Sequence, residues 1–464
     1  MRPTVVLNRY KVRYLLSVPV FIIVLLNIEL ISQIKDFNSL NTEKNSELNS
    51  QNWSRIIQSG NLTKIQLSLN SSQISQQLRL KIKQLNSDLS IRNKHFIQSI
   101  LNNEIKNQKI DKKTTEVYKM PKFFVILVQV HSRLNYLKEL INSLKETKYI
   151  EQALVVFSHD IYDNEMNTLI DSIDFCATLQ IFYPYSLQLY PDRFPGKDSN
   201  DCARSLNKAK ALESGCNNAA YPDTYGNYRE SQVVQIKHHW FWKLAFLFDR
   251  LNETRLINNL HILMLEEDHY LLPDSIHVLQ KLSEKILSDI DVVSLAIFER
   301  SKQKLDMNNL RKYAKGYWHS SKHNTGLLLS RTQWKMIKDC SNAFCTYDDY
   351  NWDWTLQYIS QTCFKLPLVA IYPVSSRVIH MGECGTHHKG SNCDPKTRIE
   401  SLKQTMEKKK NEMFSDKFDL SSVNTGIISI KKSNGGWGDP RDHNLCKSFV
   451  DPDLIANSTI LIEM

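Results

Sequence analysis

The sequence predicts an α/β fold built around a sheet of the nucleotide-binding type, preceded by a membrane anchor and a stem. From Pro121 onward, short apolar runs alternate with stretches of helical periodicity, which is the pattern of successive strand–helix units. The first two apolar runs end on polar residues, as strands do when their carboxyl ends border a ligand crevice. Before residue 119 the chain instead has one hydrophobic segment followed by a long polar stretch.

Length and charge set the scale of the molecule and exclude one class of partner. At 464 residues the chain has room for more than one domain, and its 42% hydrophobic content is ordinary for a globular protein. The formal net charge of +10 is spread along the chain. Because no single Lys/Arg block carries this charge, we expect no nucleic-acid partner, whereas an anionic small ligand remains compatible with it.

A single hydrophobic segment, residues 15–31, is the candidate membrane span. It has 17 residues, with Asn27 and Glu29 near its far end, so it is short for a spanning helix. Basic residues precede it and no small-residue cleavage site follows, which favours an uncleaved signal anchor over a cleaved signal peptide. The expected arrangement is a cytoplasmic tail at residues 1–14, a transmembrane anchor at 15–31 and a luminal remainder.

Residues 32–118 are expected to form a luminal stem. They are rich in Asn, Gln, Ser, Lys and Ile, with one glycine and no proline, and their apolar residues are too sparse to predict a core. Within them, residues 82–105 favour an amphipathic helix or a weak coiled coil. Sequons support a luminal placement without establishing it. They are found at Asn52, Asn61, Asn70, Asn252 and Asn457.

Three apolar runs predict the first half of the sheet. They are residues 123–130, 153–157 and 178–183. The first run passes into His131, Ser132 and Arg133, and the second into Ser158, His159 and Asp160, each before a helical stretch. No GxGxxG or GxxxxGK[ST] sequence occurs, so a glycine-rich phosphate loop is excluded, together with dinucleotide-binding and P-loop functions.

The most informative stretch is residues 263–274, LMLEEDHYLLPD. A buried apolar run breaks abruptly into Glu266, Glu267 and Asp268, which puts three carboxylates at the end of a strand. Carboxylates clustered there can hold a hard cation that bridges the phosphates of a ligand. The alternative is a solvated acidic turn in front of the helix that starts at Pro273.

Three further segments carry candidate chemistry. Residues 235–242, QIKHHWFW, open a helical stretch on which a basic pair could meet a phosphate or sugar, although such a pair beside aromatic residues is also common in cores. His380 closes a strand and is a plausible partner of Asp268 in holding a metal. The third segment, residues 345–354, reads CTYDDYNWDW and suits a carbohydrate site, because aromatic rings stack on sugars and carboxylates accept hydroxyl protons.

Three acids in residues 345–354 could be the base that accepts a hydroxyl proton, and sequence position alone does not show which of them it is. Asp348 and Asp349 fit the start of a helix, where a carboxylate caps backbone amides. If Asp349 directly precedes the first turn, Asp353 lies inside the helix between Trp352 and Trp354, where capping explains nothing. The base is then predicted to be Asp353.

Nine cysteines all follow the stem, and in an oxidising lumen an odd number leaves one thiol free. Cys384 and Cys393 flank His387 and His388, which invites a zinc-site interpretation. The spacing matches no common zinc pattern, so a disulfide between the two cysteines is preferred.

Seven segments, taken in order, resemble the N-acetylglucosaminyltransferase II family of mannosyl-glycoprotein glycosyltransferases. The resemblance covers about residues 122–448, and seven ordered segments are specific where any one alone would be weak. The anchor and stem resemble that family only in kind. The segments read QVHSR with FSHD downstream, QIKHHWFWKL, LEEDHYLLPD, HNTGLLLSR, CTYDDYNWDW, RVIHMGECGTHHK and NGGWGDPRDH.

The resemblance implies a GT-A type nucleotide-sugar-binding fold with a mixed central sheet, in a catalytic domain at residues 119–464. It implies a UDP-GlcNAc donor, an N-glycan acceptor, Mn²⁺ and inversion at the anomeric carbon. Asp268 and His380 would hold the metal and Asp353 would be the base. The remaining implied contacts are Gln129, Val130, His131, Ser132, Arg133, Asp160, Gln235, Ile236, Lys237, His238 and His239 to the nucleotide, and Glu266, Tyr350 and Trp352 near the sugars.

The resemblance also implies covalent and cellular features. A Golgi location follows, as a single-pass type II membrane protein with a luminal catalytic domain, while a homo-oligomer stays open. Relatives carry a close cysteine pair before the strand at residues 291–297, and residues 283–289 lack it, a loss that touches no catalytic position. The implied disulfides are Cys202–Cys216, Cys340–Cys363, Cys345–Cys446 and Cys384–Cys393, with Cys176 free.

Two other classes of function compete with the transferase. A luminal metallohydrolase would use the same acids and histidine, although a fuller His/Asp ligand set would be expected. A non-catalytic glycan-binding protein would use the aromatic residues and leave Asp353 without a role.

Overall fold

The computed structural model describes residues 71–108, 123–299, 302–303, 306–382, 395–422, 426–430 and 432–451. The strands are β1 (Phe124–Val130), β2 (Ala153–His159), β3 (Ala177–Phe182), β4 (His261–Glu266), β5 (His269–Leu271), β6 (Asp291–Ser294), β7 (Phe298–Glu299), β8 (Lys302–Gln303), β9 (Lys312–Tyr317), β10 (Leu327–Ser330), β11 (Val369–Pro373), β12 (Val378–His380) and β13 (Asp419–Ser422). The helices are α1 (Ser71–Ser87), α2 (His95–Gln108), α3 (Leu134–Glu146), α4 (Asn164–Asp171), α5 (Lys208–Ser214), α6 (Ser231–Ala245), α7 (Asn252–Arg255), α8 (Ser275–Ser283), α9 (Ser320–His323), α10 (Arg331–Asp339), α11 (Ser341–Thr346), α12 (Trp352–Thr362), α13 (Lys396–Glu407) and α14 (Pro440–Ser448).

A mixed sheet of nine strands organises these elements, in the order β13-β9-β11-β6-β10-β4-β1-β2-β3. Strands β4, β1, β2 and β3 are parallel neighbours, and β10 is inserted antiparallel between β4 and β6. The predicted mixed α/β architecture is therefore confirmed. Because parallel strands share one carboxyl edge, the polar residues that follow β1, β2 and β4 meet at the same rim.

Two apolar layers hold the sheet between helices. Along β1, Val125 and Leu127 face one layer, whereas Ile126 and Val128 face the other, and all four are fully buried. Side chains that alternate in this way and are buried on both faces require a near-continuous apolar run, which is what the sequence shows at residues 123–130. The first layer is shared with α6 and the second with α3 and α8.

Part of the predicted stem packs on this domain. Ile82 of α1 and Ile97 and Leu101 of α2 are buried in the same core layer as α6. The side chain of Asn86 exchanges hydrogen bonds with the backbone of Phe182 on the edge strand β3. Residues 71–108 thus belong to the globular unit, which differs from the expectation of a stem without a core. A few apolar residues in a polar sequence suffice here because the sheet provides the other half of the interface.

Several predictions fall on residues that the structure does not describe: the tail, the anchor at residues 15–31, most of the stem and the Cys384–Cys393 pair. In the described residues, no helix is both long and apolar enough to span a membrane. Three predicted disulfides are formed, and Cys176 is free and buried. They join Cys202 to Cys216, Cys340 to Cys363 and Cys345 to Cys446.

Candidate active site

The carboxyl edge of the sheet presents a row of polar side chains. The registers of β1 with β2 and with β4 align Gln129 with Ser158 on one side and Glu266 on the other. Side chains in register on adjacent strands point to the same face, which here is the face covered by α6. Where α6 crosses the strand ends, it must therefore carry polar side chains that can form hydrogen bonds with these residues.

Helix α6 meets this need with Gln235 and His239, one turn apart. Gln235 Nε2 donates to Asp160 Oδ2 at 3.1 Å, and His239 Nε2 lies 2.7 Å from Ser158 Oγ. The second oxygen of Asp160 is 2.7 Å from Nδ1 of His131, and this hydrogen bond raises the pKa of His131 above its ordinary value despite burial. The predicted residues at the ends of β1 and β2 are thus brought together around one buried carboxylate.

Lys243, a further turn along α6, was not predicted. Its ammonium donates to Oε1 of Gln129, and the charge of Glu266 acts on it from the neighbouring strand. Burial lowers the pKa of Lys243 to about 7. The sequence does carry a signal for this residue, because Gln235, His239 and Lys243 recur every four residues on one face of the helix.

The structure corrects the prediction that Lys237 and His238 contact the nucleotide. Lys237 is fully buried on another face of α6 and donates to the backbone carbonyls of Tyr347 and Asp349. His238 Nε2 lies 3.1 Å from Asp442 Oδ1 in the C-terminal helix. Both side chains fasten other parts of the chain to α6, so neither is available to a ligand.

The remaining members of the two predicted nucleotide segments contribute less. Val130 is buried, and its carbonyl accepts the N–H of Asp160 at 3.2 Å. Ser132 is exposed in the loop after β1, and Ile236 is half-buried on α6. Among these three residues, only the side chain of Ser132 is exposed to a ligand, and Val130 and Ile236 could contribute backbone groups.

Glu267 organises the loop between β1 and α3. Its carboxylate accepts the backbone N–H groups of His131 and Arg133, at 2.8 and 3.2 Å, and the Nε of Arg133 at 2.8 Å. A carboxylate at the start of a helix satisfies amides that have no partner within the helix. Of the three acids that the sequence grouped as possible cation ligands, this one is structural.

Asp268 and His380 meet as predicted. His380 Nε2 lies 3.2 Å from Asp268 Oδ2, which also accepts Nη1 of Arg133 at 2.7 Å. Burial opposes ionisation of Asp268, but His380, His269 and Arg133 outweigh it and hold the pKa of Asp268 well below its usual range. Burial lowers the pKa of His380, and the hydrogen bond and charge of Asp268 more than offset this and raise it.

The residues present fit a divalent cation. Asp268 Oδ1 is buried and has no hydrogen-bond partner among the described residues, so one carboxylate oxygen is left for a ligand. Ligand atoms of Glu266, Asp268 and His269 all lie within 4.8 Å of one another. Carboxylate oxygen and imidazole nitrogen together are donors that Mn²⁺ accepts. Gly382 leaves room at this point, because a Cβ on it would lie 2.1 Å from Asp268 Oδ2.

His269 is better read as a support than as a metal ligand. Its Nδ1 accepts the backbone N–H of Glu266 at 3.0 Å, so the neutral ring carries its proton on Nε2 and offers no lone pair there. The pairing of β5 with β12 aligns His269 directly with His380. This alignment explains how a histidine more than 100 residues away in sequence reaches Asp268.

Asp353 lies in the first turn of α12, earlier in the helix than predicted. The helix begins at Trp352, after Asn351. Asp353 Oδ2 accepts Nδ2 of Asn324 at 3.0 Å, and Oδ1 accepts the N–H of Trp354 at 2.8 Å. Burial raises the pKa of Asp353 above its ordinary value against these hydrogen bonds. Asn324 stands just before β10, whose first residues lie at the same edge of the sheet.

The structure also corrects the prediction that Asp348 and Asp349 cap this helix. Asp348 accepts the N–H groups of Thr224 and Trp437, at 2.6 and 2.9 Å. Asp349 is fully buried and accepts both the backbone and side-chain N–H groups of Asn434 at 2.8 Å. Both acids fasten distant loops, so Asp353 is the acid of this segment whose oxygens are least committed to the fold.

The three residues predicted near the sugars differ in their surroundings. Trp352 stacks on the buried Trp240 with ring centroids 4.6 Å apart, so one of its faces is covered. Tyr350 is half-buried beside Gly436, whose φ of +78° only glycine adopts readily. Burial raises the pKa of Glu266, which is half-buried beside the Asp268 site.

Comparison with known proteins identifies the family of this chain. The family model described as N-acetylglucosaminyltransferase II (MGAT2) matches residues 90–446. Proteins named alpha-1,6-mannosyl-glycoprotein 2-beta-N-acetylglucosaminyltransferase are similar to this chain. The one from Sus scrofa is 42% identical over 374 residues, which cover 80% of this chain and 79% of that protein. Those from Homo sapiens and Arabidopsis thaliana are 44% and 33% identical, covering 71% and 70% of this chain and 74% of each relative.

Among solved structures, S. aureus TarS 1-349 in complex with UDP-GlcNAc is 10% identical and covers 72% of this chain and 67% of that chain. The TM-score is 0.29, which is too low to establish a shared fold. The family match therefore rests on the sequence relatives.

Proposed function

The chain belongs to the N-acetylglucosaminyltransferase II family, and on this basis we propose that it transfers GlcNAc from UDP-GlcNAc to the α-1,6-arm mannose of N-glycans in β-1,2 linkage. The names of its relatives support this reaction, and the matched residues 90–446 include every residue of the site described above. The observation that carries the proposal is the half-buried Asp353 carboxylate, held by Asn324 at the same sheet edge as Asp268 and His380.

We propose Asp353 as the general base. It would take the proton from the mannose O2 hydroxyl while that oxygen attacks the anomeric carbon on the face opposite UDP, which inverts the configuration. The raised pKa suits this task, because a carboxylate that is costly to keep ionised is a stronger proton acceptor. Hydrogen bonds from Asn324 and Trp354 would orient the carboxylate.

Asp268 and His380 would hold Mn²⁺, with Glu266 close by. When bound, the ion supplies Lewis-acid stabilisation to the diphosphate leaving group. Arg133 donates to both Asp268 and Glu267. When the diphosphate is bound, its negative charge would compete with these carboxylates for the guanidinium of Arg133. The chain's own contribution is to keep Asp268 ionised, because His380, His269 and Arg133 hold its pKa low.

The proposed nucleotide contacts are a subset of those implied by the family resemblance. Gln129, the loop of His131–Arg133 and the Asp160–Gln235 pair border one crevice at the ends of β1 and β2. Lys237 and His238 are left out, because both side chains are buried and their hydrogen bonds are to the loop before α12 and to Asp442. We further propose a GT-A type fold. We also propose a Golgi membrane location with a luminal catalytic domain, and the three disulfides support the luminal placement because they form in oxidising compartments.

One assay separates the transferase from its two competitors. The protein is incubated with UDP-GlcNAc and a biantennary precursor N-glycan, with and without Mn²⁺, and with the acceptor omitted in a parallel reaction. A transferase consumes UDP-GlcNAc only when the acceptor is present and adds one GlcNAc to it. Rapid release of GlcNAc without acceptor would identify a hydrolase instead, and glycan binding without any UDP release would identify a binding protein.

A further inference from the structure

Lys243 occupies an unusual position between helix and sheet. It is 2% exposed and projects from α6 toward the ends of β1 and β4. Its ammonium donates to a neutral partner, Oε1 of Gln129, while Glu266 and Asp160 act on it only through their charges. Burying a charged amine beside a carboxamide is costly, so its position calls for a function beyond packing.

The contact fixes which way the Gln129 carboxamide points. The atom of Gln129 that faces Lys243 is its carbonyl oxygen, which is the arrangement required by a protonated amine, a donor with no acceptor capacity. The NH₂ of Gln129 then faces away from α6. Gln129 is half-buried at the end of β1, and no described residue accepts a hydrogen bond from this NH₂. Its two donors therefore open into the crevice beyond the strand ends.

We infer that Lys243 is a positioning residue that holds Gln129 with its NH₂ toward the nucleotide, so that the site selects an oxygen acceptor at this point. The inference rests on the proposed function and deepens it. A uracil carbonyl and a diphosphate oxygen share the required chemistry. A donor facing the base would reject cytosine, whose amino group replaces one carbonyl of uracil.

The chain provides a matched control in the same helix. Lys237 is also fully buried, and it donates to the backbone carbonyls of Tyr347 and Asp349 rather than to a site residue. Lys237→Met and Lys243→Met remove the same charge from the same helix. Only the second change releases Gln129.

The test measures Kd for UDP, CDP and uridine by calorimetry in the parent, Lys243→Met, Gln129→Leu, the double variant and Lys237→Met. Lys243→Met should weaken UDP binding by about 5- to 20-fold, the range expected for one lost hydrogen bond to a polar ligand. In the Gln129→Leu background it should have little further effect, because the lysine acts through the glutamine. Lys237→Met should lower the melting temperature and leave the UDP-to-CDP ratio of Kd unchanged.

Comparing UDP, CDP and uridine shows which ligand oxygen accepts the hydrogen bond from the Gln129 NH₂. If the NH₂ faces the base, uridine binding weakens with UDP binding, and the preference of UDP over CDP falls. If it faces the diphosphate, UDP and CDP weaken equally and uridine binding is unchanged. Gln129→Glu supplies a second variant should Lys243→Met fail to fold, since it keeps a partner for Lys243 and removes both N–H donors. It should weaken UDP binding by a similar factor.

Two results would overturn the inference while leaving the proposed function intact. One is UDP binding at parental Kd in Gln129→Glu or in a folded Lys243→Met. The other is additive losses in the double variant, which would mean that Lys243 acts independently of Gln129. If the parent itself neither binds UDP nor turns over UDP-GlcNAc, the proposed function fails and this inference fails with it.

Discussion

At the scale of single residues, the proposed chemistry depends on Asp353, the carboxylate of its segment that the fold engages least. Asp348 and Asp349 each accept hydrogen bonds from distant loops, whereas Asp353 accepts from Asn324 and from the N–H of the next residue. The three acids are close in sequence but have separate tasks. Amide substitutions at each should therefore separate catalysis from stability.

Asp353→Asn should reduce kcat by at least about 100-fold and leave KM for UDP-GlcNAc nearly unchanged, because proton removal is felt in the transition state. Asp348→Asn is the control. It should lower the melting temperature through weaker contacts to Thr224 and Trp437 while largely keeping kcat. Steady-state kinetics and thermal unfolding of the two variants provide the check. A near-parental kcat for Asp353→Asn would assign the base to another acid.

Gly382 gives a second residue-scale prediction. A Cβ at this position would lie 2.1 Å from Asp268 Oδ2, too close for any real contact, so Gly382→Ala must displace the carboxylate. Calorimetry should show that UDP binding no longer responds to Mn²⁺ while the protein remains folded. Gly426→Ala is the control, because no atom lies within 4 Å of its Cβ position. Equal Mn²⁺ dependence in both variants would mean that Asp268 does not hold the metal.

At the scale of elements, α6 divides its polar residues between two faces. Gln235, His239 and Lys243 bond to Asp160, Ser158 and Gln129 at the strand ends, whereas Lys237 and His238 bind the loop before α12 and the C-terminal segment. The helix therefore joins the ends of β1 and β2 to the segment carrying α14. Asp442 is the centre of that second contact, since it is fully buried between Arg229 and His238.

Asp442→Asn should lower the free energy of unfolding by up to about 3–5 kcal/mol at pH 7, because it removes the nearest counter-charge of the buried Arg229 and leaves only the longer contact to Asp201 at 3.4 Å. Burial alone would raise the pKa of Asp442, but Arg229 and His238 outweigh it and hold the pKa well below its usual range. A depressed carboxyl pKa contributes stability that is present above the unfolded value, about 4, and is lost as pH falls further.

The stability difference between parent and Asp442→Asn should therefore narrow below about pH 4. Denaturant unfolding at pH 7, 5 and 3 measures it. Asp416→Asn is the control, since the Asp416 side chain is exposed where it pairs with Lys281, and it should change stability little at any pH. A difference for Asp442→Asn that stays constant from pH 7 to pH 3 would show that the buried pair does not titrate as described.

The elements also show what the sequence can and cannot reveal. The apolar run at residues 123–130 and the EED sequence after β4 predicted the strands and their functional edge, because buried parallel strands leave a local signature. The roles of Lys237 and His238 could not be predicted, since their partners lie more than 100 residues away. The roles of Asp348 and Asp349 were missed because Asp348 bonds to Thr224 and Trp437 and Asp349 to Asn434, and no local pattern marks those contacts. The contact of Asn324 with Asp353 likewise has no signature in the sequence.

At the scale of the whole molecule, the nine-stranded sheet and the separate β5–β12 pair together bring close residues that are spread from Gln129 to His380. The packing of residues 71–108 on the sheet extends the globular unit well before Pro121, where the sequence pattern placed its start. Family membership and this shared edge lead to the same central claim. We propose that one site at this edge binds the nucleotide sugar, and that Asp353 removes the proton of the acceptor hydroxyl as its oxygen attacks the face opposite the leaving group.

Proton NMR of the reaction product tests that claim most directly. The parent protein is incubated with UDP-GlcNAc, in which the sugar is α-linked, and a biantennary precursor N-glycan. The account predicts a single new GlcNAc on O2 of the α-1,6-arm mannose with a β anomeric proton, because attack from the opposite face inverts the configuration. An α-linked product, addition to another hydroxyl, or free GlcNAc in place of a glycan product would contradict it.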